Sequence, residues 1–79
     1  MVVAGVVIET VEGAAARVSA RLLQVPGLEL QGGDGARRLA AVVTAEDAEA
    51  VEALGRALLE RDEEILGVFP TYVGSDAEP

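Results

Sequence analysis

Apolar and polar positions alternate along this chain in six blocks. From Val2 to Ile8 the residues are β-branched apart from Ala4 and Gly5, and apolar residues fill both parities, which predicts a central strand with two apolar faces. Thr10 is placed to cap a following helix, in which Val11, Ala14, Ala15, Val18, Leu22 and Val25 recur at three- and four-residue spacing and leave Arg17 and Arg21 on the polar side. Pro26-Gly27 stops that helix, because proline cannot continue the hydrogen-bond ladder and glycine accepts the turn. Leu28 to Gln31 alternates as a short strand, and the turn signal Gly32-Gly33-Asp34-Gly35 joins it in a hairpin to a third strand, Ala36 to Thr44. Thr44-Ala45-Glu46-Asp47 has the T-x-x-D form of a capping box, ahead of an apolar stripe of Ala48, Val51, Leu54, Gly55 and Leu58. Glu52 with Arg56, and Arg56 with Glu60, are spaced to pair on that helix's exposed side. A last strand runs from Ile65 to Val73.

Strand, helix, strand, strand, helix, strand is the split βαβ order of a ferredoxin-like α+β fold. Residues 1–74 are expected to form this single domain, with 75–79 a frayed polar tail. Right-handed crossovers put both helices on one face of a four-stranded antiparallel sheet of order 4-1-3-2, leaving the other face bare. Side chains alternate across a strand, so parity sorts the residues. Val2, Ala4, Val6, Ile8, Leu28, Leu30, Leu39, Ala41, Val43 and Val68 are expected to face the helices. Val3, Gly5, Val7, Glu9, Glu29, Gln31, Arg38, Ala40, Val42, Thr44, Phe69, Thr71 and Val73 are expected to face outward. That makes an apolar strip over strands 4, 1 and 3, with small Gly5 and Ala40 near its middle and carboxylates at its border. Such a strip suits a partner; homodimerisation, or β-propensity expressed on an exposed face, accounts for it as well.

Composition narrows the chemistry. The chain has 79 residues, 51% of them hydrophobic, which excludes a disordered acidic tail. At this size only about 60% of the extended surface is hidden on folding, so deep pockets are not expected. All six basic residues are arginines, and there is no His, Cys, Lys, Asn or Trp. That removes disulfides, zinc and iron–sulfur ligand sets, thiolate nucleophiles and imidazole bases, so neither an enzyme nor a bound cofactor is expected. A net charge of −8 disfavours nucleic acid and favours a cationic partner. The apolar run at the N-terminus has no basic residues before it and ends at Glu9, short of a signal peptide or a membrane span, so membrane insertion is not expected and a cytoplasmic location is.

Glu60, Asp62, Glu63 and Glu64 supply oxygen donors, but without an EF-hand spacing or a loop glycine they read as a solvated helix end and not as a metal site. Acids there oppose the helix dipole, which leaves room for attracting a basic ligand. The Gly32-to-Gly35 segment precedes no helix and contains no Lys, so it is a hairpin turn and not a phosphate cradle. Ser19 and Ser75 lack an activating base. Arg37-Arg38 lies too far into the chain, with no apolar segment behind it, to be a twin-arginine export signal.

Several segments together resemble a known family. These are Val25-Pro26-Gly27-Leu28-Glu29-Leu30 after the first helix, Gly35 to Val43 with the Ala45-Glu46-Asp47 helix entry, and Ile65-Leu66-Gly67-Val68. They are similar to the NapD chaperones, small ferredoxin-like proteins that bind the twin-arginine signal peptide of periplasmic nitrate reductase in the cytoplasm and hold back export until the molybdenum cofactor is loaded. The resemblance spans nearly the whole chain through short, glycine-centred motifs. It implies a signal-peptide-binding face made of Val3, Gly5, Val7, Glu9, Glu29, Ala40, Val42, Phe69, Thr71 and Val73, on a monomer or weak dimer. Glu9 and Glu29 are the candidate partners of the peptide's arginines; each is equally at home as a solvated strand-end acid. Family members commonly carry a Tyr-His pair near the end of the last strand, whereas this chain reads Phe69-Pro70-Thr71-Tyr72-Val73. The client is therefore open among molybdenum oxidoreductases, a formate dehydrogenase-like enzyme included. The chain also resembles the effector-binding domain of Lrp/AsnC regulators, which implies instead a small-ligand-binding module that oligomerises through its sheet.

Overall fold

A computed structural model describes residues 1–34 and 36–75. Its elements are β1 (Val2–Thr10), α1 (Ala15–Leu22), β2 (Leu28–Gly33), β3 (Arg38–Ala45), α2 (Ala48–Arg61) and β4 (Ile65–Ser75). The four strands form one sheet in the order β2-β3-β1-β4, with every neighbouring pair antiparallel. This is the ferredoxin-like α+β arrangement expected from the sequence.

The core lies between the sheet and the helices, and alternation explains its make-up. Ala4, Val6 and Ile8 of β1, Leu39, Ala41 and Val43 of β3, and Ile65 of β4 are buried together with Ala14, Ala15, Val18 and Leu22 from the α1 segment and Val51 and Leu58 of α2. Val2, Leu28, Leu30 and Val68 pack against this cluster, so the residues expected to face the helices do so. α1 lies over β2 and β3, and α2 over β3 and β4. No aromatic side chain is in the core.

Both helix starts differ from the sequence expectation. Thr10 does not cap α1: it is the last residue of β1, fully buried, with its hydroxyl donating to the Val11 carbonyl at 3.0 Å. Its amide donates to the Arg37 carbonyl at 2.7 Å and that of Val11 to Glu64 at 2.8 Å, so this segment is held by neighbouring chain and cannot begin a helix. The helix starts at Ala15 without a side-chain cap; the Ala36 carbonyl, beyond the β2–β3 turn, accepts from the amides of Gly13 and Ala15 instead. Val11 is consequently exposed, and Val25 packs on the core from beyond the helix end.

Thr44 does not open a capping box either. It lies within β3, which continues to Ala45 opposite Val2, and the helix cap is Asp47, whose side chain accepts from the Ala50 amide at 2.8 Å. Ala48, expected in the buried stripe of α2, is exposed. Glu52, Arg56 and Glu60 are joined by no ion pair among the described residues.

The hairpin is built on Asp34. One carboxylate oxygen of Asp34 accepts from the amides of Ala36, Arg37 and Arg38 at 2.9–3.0 Å, so β2 runs on to Gly33 and β3 begins only at Arg38. Gly35, expected to be part of this turn, lies outside the described residues. β4 reaches Ser75, which pairs with Val2, so the strand enters the segment expected to be a tail; residues 76–79 of that tail lie outside the described residues.

Candidate functional site

The face of the sheet opposite the helices is covered by nothing else among the described residues. Pairing across strands fixes which side chains share it, because residues directly opposite one another point the same way. Val3 pairs with Thr44, Gly5 with Val42, Val7 with Ala40 and Glu9 with Arg38, while Glu29 of β2 pairs with Val42. On the other flank Val7 pairs with Phe69. Val3, Gly5, Val7, Glu9, Glu29, Ala40, Val42 and Phe69 therefore lie on one surface, as expected.

The end of β4 departs from the expectation. The register shifts between Gly5 and Val6, which pair with Tyr72 and Pro70, and Thr71 is the extra residue. Its hydroxyl donates to the Gly5 carbonyl at 3.0 Å, pinning the bulge to β1. Beyond it parity inverts. Tyr72 comes onto the open face opposite Gly5, and Val73 falls opposite buried Ala4, on the helix side. Val73 thus leaves the open face, and Tyr72 takes the place assigned to it. Pro70 was the available signal, since proline inside a strand marks an edge or a bulge.

Two glycines seat the two aromatic rings. A Cβ on Gly5 would collide with Cδ1 and Cε1 of Tyr72, and one on Gly67 with the ring of Phe69, so each ring lies against bare backbone. These are the chain's one Tyr and one Phe, and they are 56% and 53% exposed. A protein this size would ordinarily bury them, since aromatic rings carry large core area. Here both are held at the surface.

Between the Phe69 ring and β3 runs an open trough of about 480 Å³ lined by Val7, Ala40, Phe69 and Thr71, with Glu9, Arg38 and Gly33 completing it. Nε of Arg38 lies 3.6 Å from Glu9 Oε2. At the β2 edge, Glu29 Oε1 accepts a hydrogen bond from Gln31 Nε2 at 3.0 Å. Both candidate carboxylates are therefore on the bare face, each with a partner from its own chain.

The acidic run after α2 serves a different purpose. Arg21 grips Asp62 with two nitrogens at 2.8 and 2.9 Å and also reaches Glu64 at 2.9 Å, while Arg17 donates to both Glu64 oxygens, at 3.3 and 2.6 Å. Hydrogen bonds from Arg17 and then Arg21 hold the Glu64 carboxyl down at about 2, and Arg21 lowers that of Asp62. This cluster ties α1 to the corner before β4. Among the described residues no grouping of three or more His, Cys, Asp or Glu could hold a metal ion, and no helix is long and apolar enough to cross a membrane.

The open face offers apolar area, two rings and two carboxylates. Comparison with family models, curated proteins and solved structures finds no match to the chain, so the fold and this face are what its function has to be argued from.

Proposed function

We propose that this chain is a binding protein and not an enzyme: a cytoplasmic chaperone whose open sheet face takes the twin-arginine signal peptide of an exported molybdenum oxidoreductase, nitrate reductase-like, and delays its export until the cofactor is loaded. The observation that carries the reading is the bare face with both aromatic rings seated over glycines beside an apolar trough that has a carboxylate at its mouth. A twin-arginine signal peptide presents the matching chemistry, an apolar segment preceded by two guanidiniums.

Exposed aromatic rings are typical binding anchors, and their faces also attract guanidinium groups. Burying about 200 Å² of the peptide's apolar segment is worth about 5 kcal/mol before ordering costs are subtracted. The resemblance of short segments to the NapD chaperones supports the same reading, and the net charge of −8 favours a cationic ligand.

Calorimetric titration with a synthetic twin-arginine signal peptide from a molybdenum enzyme tests it, with a Lys-Lys version as control. The expected result is binding at about micromolar Kd or tighter with a negative heat-capacity change, weakened by the Arg→Lys replacements. No binding to several such peptides, together with a dimer by light scattering, would overturn the proposal in favour of a module that pairs through its sheet.

A further inference from the structure

Glu9 stands at the mouth of the trough and already holds a guanidinium. Arg38 lies directly opposite on β3, and the pair approaches to 3.6 Å without closing a hydrogen bond, with the two side chains 58% and 34% exposed. That contact differs in kind from the tether across the molecule, where Arg21 closes a two-nitrogen fork on Asp62 at 2.8 and 2.9 Å. A long, exposed ion pair holds weakly, whereas a forked guanidinium–carboxylate pair is among the strongest side-chain contacts. Arg38 also lines the trough with Val7, Glu9, Ala40 and Phe69, so its side chain stands beside the carboxylate that a ligand's arginine would pair with.

We propose that Arg38 is a built-in competitor for Glu9: it occupies the carboxylate while the face is empty and is displaced when a peptide guanidinium docks, so the empty site is partly self-blocked. This rests on the reading of the open face as an arginine-peptide surface. It adds a regulatory element to that surface, because any change that draws Arg38 away from Glu9 raises the affinity of the face. Arg38 suits such a switch, since its amide is fixed by Asp34 while its side chain is free to swing into solvent.

Titrations with the twin-arginine peptide on the wild type, Arg38→Gln, Arg37→Gln, Glu9→Gln and the Glu9→Gln/Arg38→Gln double variant test the proposal, with circular dichroism confirming that each is folded. Arg37→Gln removes the same charge without touching Glu9. Arg38→Gln is expected to tighten binding about two- to fivefold, the range of an exposed ion pair. Arg37→Gln should leave affinity nearly unchanged, and Arg38→Gln should add nothing once Glu9 is Gln. An Arg38→Gln affinity equal to or below the wild type's, an equal gain from Arg37→Gln, or a gain that persists in the Glu9→Gln background would overturn the competitor and leave the peptide-binding reading standing. Absence of binding by both the wild type and Arg38→Gln would overturn the two together.

Discussion

At Gly5 a hydrogen in place of a methyl group decides what the open face looks like. The ring of Tyr72 occupies the space a Cβ would take, and the Thr71 hydroxyl comes within 2.9 Å of the same point. In Gly5→Ala the half-exposed ring swings aside into solvent and the Thr71 hydroxyl shifts on its bond to the Gly5 carbonyl, an overpacking cost of about 1–2 kcal/mol that the lower chain entropy of alanine offsets in part. Thermal unfolding is therefore expected to move by only a few degrees, while calorimetry shows peptide affinity several-fold weaker. An unfolded variant would mean that the ring has nowhere to go. Most of this face was legible in the sequence because strand alternation is a local rule, and it placed Val3, Val7, Ala40, Val42 and Phe69 correctly. It failed past Thr71, where a single inserted residue inverts every later position, and only Pro70 hinted at the insertion.

α1 spans eight residues and has no side-chain cap, so its attachment matters more than its propensity. Arg21 holds both Asp62 and Glu64, whereas Arg17 holds Glu64 alone. Arg21→Gln is accordingly expected to lower the melting temperature more than Arg17→Gln. The tether also sets an acid limit. Glu64 titrates at about 2 in the folded chain, and Asp34, fixed by the amides of Ala36, Arg38 and Arg37, titrates at about 2 as well. Unfolded carboxyls titrate near 4, so both contributions are complete above about pH 5 and are lost as pH falls from about 4 toward 2. Melting curves of wild type, Arg21→Gln and Asp34→Asn should therefore differ at pH 7 and converge near pH 2; a gap that stays constant with pH would refute the assignment. These attachments were hidden from a linear reading. The Ala36 carbonyl that receives the Gly13 and Ala15 amides belongs to the far end of a hairpin, and Thr10 and Thr44 carry the chemistry of caps but are claimed first by strands.

For the molecule as a whole, the division of side chains between its two sheet faces is unusual: aliphatic and alanine residues make the core, and the aromatics are outside. A chain of this length has about 4–12 kcal/mol of stability in total, so a core truncation consumes much of it. Ile8→Ala, at a fully buried position, is expected to cost about 2–5 kcal/mol in denaturant unfolding. Val7→Glu on the opposite face should leave a folded monomer that no longer binds the peptide, and loss of folding there would place Val7 in the core. The same division makes the protein its own reporter. With no Trp, one Tyr and one weakly emitting Phe, its fluorescence is dominated by Tyr72, a ring standing on the open face and outside the core. A docking ligand that stacks on the ring changes that emission directly without any label, whereas loosening of the aliphatic interior leaves it untouched until β4 separates from β1.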